Sequence, residues 1–185
     1  IADKATSTNS LELILDLVEQ SLDTDPNYRE NVRKQAGVTD GMSYMRLVPQ
    51  DNPKGMLPPT PWGRDAAEEA YRQHQVRQID PRLRLLRTLA TGSCKDHDTM
   101  GPGLSTTVTT PHWLGGGGIL FIIEGASQGV PMVGSRGDVP NESEVFLPDL
   151  LHCTVLEETT DGTYLGKRFE RIYRLGVDSE ETPVP

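Results

Sequence analysis

At 185 residues, with 35% hydrophobic and 24% charged residues, the chain is sized for one domain with a real core and is too apolar to stay disordered. Its formal net charge of -9 argues against nucleic-acid binding by phosphate neutralisation, which needs a basic face. The two cysteines, Cys94 and Cys153, lie far apart and in no metal-type spacing, so neither a disulfide scaffold nor a zinc site is indicated. No stretch approaches the roughly 20 apolar residues of a membrane span, so no membrane partner is expected. The chain begins at Ile1, without a methionine or a charged segment leading into an apolar run. No signal peptide is expected within it, and it reads as a module of a longer polypeptide.

In chain order, Leu11 to Leu22 carries Leu11, Ile14, Leu15, Val18 and Leu22 at helical spacing, with Asn9 or Ser10 available as N-cap. A second short helix is predicted from Tyr28 to Gln35, ending at Gly37. Met42 to Val48 alternates as a strand and contains Arg46. Gln50 to Pro61 holds four prolines and a glycine and is predicted as a loop, after which Asp65 to Arg77 resumes as a helix. Ile79 to Ala90 is predicted as another, with Pro81 in its first turn. Arg72, Arg77, Arg82, Arg84 and Arg87 would then form a basic stripe, read as a solvated helix face, with a partner or phosphate surface as the alternative.

From Gly101 the texture turns to β, with strands predicted at Leu104–Thr110, Ile119–Glu124, Val130–Val133, Glu144–Leu147, Leu151–Glu158 and Lys167–Leu175. Helices first and strands later suit an α+β domain with mostly antiparallel pairing. The organisation expected is an N-terminal helical segment over 1–40, a catalytic domain over 41–177 and a disordered acidic tail over 178–185.

Three features follow one another: Arg46 in a first strand, Ser105-Thr106-Thr107 opening a later one, and Glu142-Ser143-Glu144 running into an apolar strand that ends Leu147-Pro148. Each alone is weak. In this order they resemble the Arg, Ser-Thr-Ser and Glu-x-Glu pattern of the mono-ADP-ribosyltransferase toxins and effectors, and Pro140 to Pro148 is the most specific segment. The likeness covers about Gly41 to Arg174, and departs from the family at Thr107, where serine is usual.

The resemblance implies an ADP-ribosyltransferase-like fold, with two packed and mostly antiparallel sheets flanked by helices and NAD bound between them. It implies a glycosyltransferase that moves ADP-ribose from NAD, a co-substrate, onto a macromolecular target, a protein side chain first, with release of nicotinamide. The target, an immunity protein or a larger toxin carrier would be the partners, and the chain would be secreted or delivered into a target cell to act in its cytosol. Rival readings are an NAD glycohydrolase that depletes NAD, and a non-catalytic interaction module.

The site residues follow from the chemistry. Cleaving nicotinamide from ribose leaves an oxocarbenium-like cation that a nearby carboxylate stabilises, the role of Glu144. Ser105 would bond that carboxylate and fix its rotamer, with Thr106 and Thr107 in the cofactor-binding strand. A guanidinium on a strand grips the pyrophosphate, the role of Arg46. Glu142 takes the proton of the incoming nucleophile. The glycine run Gly115 to Gly118 precedes a strand and so lacks the context of a phosphate loop, and His74, His97 and His112 lack metal-site spacing, so no metal is implied.

Overall fold

The computed structural model describes residues 9–22, 63–89, 99–108, 117–132, 144–164 and 166–183. The predicted helix over Tyr28 to Gln35 and the strand bearing Arg46 lie outside them, as does Glu142.

The first helix, α1, spans Leu11–Leu22. Ser10 caps it, its hydroxyl accepting from Leu13 N at 3.4 Å. Asn9 is spent elsewhere: Nδ2 donates to Arg84 O at 2.9 Å and Val108 O at 3.0 Å, while Oδ1 accepts from Arg84 N at 2.7 Å, so the entry to α1 is tied to two distant segments of the chain. Ile14 and Val18 are buried as their spacing implied, joined by Leu13 and Leu17, whereas Leu15 is half-buried.

Helix α2 covers Arg64–Arg72 and stops before the predicted Arg77. His74 takes a left-handed φ of 55°, Gln75 N donates to Ala70 O at 3.0 Å and His74 N to Tyr71 O at 3.1 Å. These bonds close the helix as a Schellman motif, with histidine where glycine is usual. Ala66, Ala67 and Ala70 form the buried face.

Among the described residues nine strands follow: β1 Arg77–Gln78, β2 Arg84–Leu89, β3 Thr99–Met100, β4 Leu104–Thr107, β5 Ile119–Glu124, β6 Gln128–Met132, β7 Glu144–Leu147, β8 Leu150–Tyr164 and β9 Lys167–Glu181. The fold is α+β. The helix predicted over Ile79 to Ala90 is a correction: Arg84–Leu89 is a strand, paired antiparallel with all of Ile119–Glu124. Leucine and arginine are good helix formers, but here two neighbouring strands decide. The acidic run Asp178 to Glu181, expected to fray, continues β9, with Glu180 and Glu181 opposite Leu151 and Leu150.

The strands are joined in the order β1-β6-β7-β4-β2-β5-β9-β8-β3. Only β5 and β9 run parallel among the described pairs. Instead of two separate sheets, the described strands form one nine-stranded sheet with a seam, because β2 meets β4 at the single pair Leu86↔Thr107. Both halves feed one core, in which Leu85, Phe121 and Ile123 pack with Val145 and Leu147 and with the apolar face of α1. Phe146, on the other face of β7, packs with Val130 and the alanines of α2. Cys153 belongs to the main core, while His152 is half-buried beside Glu181.

Tyr164 is 2% exposed among Leu86, Leu120, Ile122, Phe169 and Ile172, and burial pushes its hydroxyl up to about 12. Tyr71 is also raised to about 12, by burial and by its bond to Asp149. A raised folded-state value means the folded protein holds the proton more tightly than the unfolded chain, whose tyrosines titrate near 10. The contribution is intact below that pH and is lost as pH rises through 12. Thermal melts between pH 9 and 12 should therefore show falling stability, less steeply for Tyr164→Phe than for wild type. Identical slopes would exclude Tyr164.

Candidate functional site

Strand β7 is buried at all four residues and lies between β4 and β6. Its register with β4 sets Thr107 opposite Glu144 and Ser105 opposite Phe146. Residues two apart on a strand share a face, so Ser105, Thr107 and Glu144 project together. Ser105 Oγ donates to Glu144 Oε2 at 2.6 Å, with Ser105 8% and Glu144 4% exposed. The bond fixes the carboxylate rotamer, and burial strengthens its field because little water screens it.

Thr106 points to the opposite face, where its hydroxyl donates to Val145 O at 2.7 Å. It therefore fastens β4 to β7 one residue beyond Glu144. Thr107 is buried at 2% exposure directly across from Glu144.

The predicted arginine, Arg46, and the second carboxylate, Glu142, fall outside the described residues. The arginine stripe does not form one helix face. Arg72 pairs with Glu69 on α2, Arg77 Nη1 donates to His74 O at 2.6 Å, Arg82 pairs with Asp80 at 2.7 Å, and Arg84 lies 3.8 Å from Glu124. The Arg82 guanidinium holds the Asp80 carboxyl down to about 2.

Arg87 is the member of the stripe that reaches β4. It sits on β2 beside the seam, and its Nη1 donates to Ser105 O at 3.2 Å, next to the serine that holds Glu144. Its Nε is buried with no hydrogen-bond partner among the described residues. A buried guanidinium nitrogen without an acceptor is uncommon and suits an anionic ligand. The signal that could have found it was the alternation of Leu83, Leu85 and Arg87 against Arg84, Leu86 and Thr88, a strand period hidden by helix-forming residue types.

Gly117 and Gly118 of the glycine run form a bend before β5, where Gly117 N donates to Arg168 O at 2.7 Å. Gly117 has φ 100°, a conformation that favours glycine. Among the described residues, no group of three or more His, Cys, Asp or Glu side chains is placed to hold a metal, and no helix is long and apolar enough to cross a membrane.

Neither a family model nor a curated protein matches the chain. Among solved structures, it is similar to Plx2a, an ADP-ribosyltransferase toxin from Paenibacillus larvae, at 13% identity and TM-score 0.38, with 96% of this chain and 90% of that chain covered. It is similar to C3larvin toxin, an ADP-ribosyltransferase from the same species, at 9% identity and TM-score 0.38, with 96% and 92% covered. A third is the ADP-ribosyltransferase HopU1 of Pseudomonas syringae pv. tomato DC3000, at 16% identity and TM-score 0.34, covering 82% of this chain and 65% of that one. Likeness at these scores adds no weight to the reading of the site, which rests on its own residues.

Proposed function

We propose that the chain is a mono-ADP-ribosyltransferase of the Arg, Ser-Thr-Ser, Glu-x-Glu class, transferring ADP-ribose from NAD to a macromolecular target. The observation that carries this reading is the buried 2.6 Å bond from Ser105 to Glu144, a carboxylate held rigidly at the start of a short strand. Such a group stabilises a cationic sugar without having to reorganise when the charge appears.

In the proposed reaction the bond between nicotinamide and ribose C1′ breaks, and its electron pair leaves with the nicotinamide ring, which becomes neutral. Glu144 faces the positive charge left on the sugar. The acceptor then attacks C1′ and gives up its proton to Glu142. A guanidinium holds the pyrophosphate; Arg46 is the candidate from the motif and Arg87 the candidate from the fold, through its place beside Ser105. A protein side chain is the proposed acceptor, and delivery into a target cell the proposed setting.

Incubation with labelled NAD tests the reading. Nicotinamide release with label on a macromolecule is the expected result; release without label would make the chain a glycohydrolase, and no release would make it a binding module. Glu142→Ala separates the steps, since Glu144 serves bond cleavage in both reactions and Glu142 serves only the acceptor. Transfer should fall by roughly 10²-fold to 10⁴-fold while slow NAD hydrolysis stays within about tenfold of wild type. Equal loss of both would place Glu142 in NAD binding.

A further inference from the structure

At the end of β7 remote from Glu144, the chain passes through Pro148 to Asp149, which is 1% exposed. Both its carboxylate oxygens are held by neutral donors. Tyr71 of α2 donates its hydroxyl to Oδ1 in a short hydrogen bond, and Gln128 at the start of β6 donates Nε2 to Oδ2 at 2.6 Å. The same Gln128 nitrogen donates to the Tyr71 hydroxyl oxygen at 2.8 Å, and Thr182 Oγ1 stands 3.4 Å from that oxygen. No cation pairs with Asp149 among the described residues. Burying a carboxylate with neutral partners alone is unfavourable unless hydrogen bonds hold it well, so the cluster resists rearrangement.

The backbone is equally constrained here. Gly103 N donates to Pro148 O at 3.2 Å, one step beyond the pair Leu104↔Leu147. A Cβ on Gly101 would lie 2.8 Å from Asp149 O, so this approach excludes any side chain. Helix α2, β6 and the β7–β8 turn therefore meet at one point, at the opposite end of β7 from its carboxylate.

We propose that Tyr71, Gln128 and Asp149 form a register clamp for β7, which makes Tyr71 and Asp149 positioning residues for the reaction assigned to Glu144. This inference rests on that assignment. A slip of one residue would turn Glu144 to the other face, and a slip of two would shift it about 6.6 Å along β4. Even partial loosening widens the spread of carboxylate positions, and a misplacement of about 1 Å can cost on the order of 10²-fold in rate.

Tyr71→Phe keeps the ring and removes the hydroxyl. In the full chain, kcat for nicotinamide release should fall roughly tenfold to a hundredfold with KM nearly unchanged. Amide hydrogen exchange should quicken in 144–149 but not in β5 or β9. Wild-type kcat in Tyr71→Phe would overturn the clamp, as would a rate loss matched by uniform quickening of exchange along the chain. If the wild-type protein released no nicotinamide, the assignment of Glu144 would fail separately. Exchange would then decide the clamp alone, localised quickening supporting it and unchanged exchange rejecting it.

Discussion

Glu144→Gln should lower the rate of nicotinamide release by on the order of 10²-fold to 10³-fold or more. Glutamine keeps the size of the side chain and can still accept from Ser105 Oγ, now 2.6 Å from Oε2. What it loses is the negative charge opposite the developing sugar cation, a loss felt strongly in a residue only 4% exposed. The fold should persist, because an amide is easier to bury than a carboxylate. Release at the wild-type rate, with melting unchanged, would remove Glu144 from the chemistry.

The second large effect is expected at Arg87. Arg87→Ala should reduce kcat/KM for NAD by roughly 10-fold to 10²-fold, the scale of losing a charge-assisted hydrogen bond of about 1.5 to 3 kcal/mol. The loss should fall mainly on KM, since a phosphate carries the same charge in the ground and transition states. Arg87→Lys should recover little, because lysine restores the charge but not the planar fork that reaches Ser105 O with one nitrogen while Nε is left for a ligand. Arg46→Ala measured alongside decides between the two guanidinium groups. If only Arg46→Ala raised KM, Arg87 would be a structural tie between β2 and β4.

Much of this was legible in the sequence. Periodicity located α1 to the residue, and the bounds of Ile119–Glu124 and Glu144–Leu147 were readable because each is a short apolar run between turn residues. The serine–carboxylate pair was legible through its motif, since strand spacing puts Ser105 and Thr107 on one face. Arg84–Leu89 was not, because its composition favours a helix and its strand state comes from pairing with β5, over thirty residues away. Asp149 left no sequence signal either. Its partners, Tyr71 and Gln128, are 78 and 21 residues distant, and only the folded chain brings them to it.

The seam between β2 and β4 bears on how such a site can be adjusted. Arg87 belongs to one half of the sheet, Ser105 and Glu144 to the other, and among the described residues the backbone ladder joins the halves at one pair. Their spacing is therefore inherited from the volume of the side chains beneath, with Leu85 and Phe121 on one side and Val145 and Leu147 on the other. Methyl groups that never meet a substrate act as shims between the guanidinium and the carboxylate.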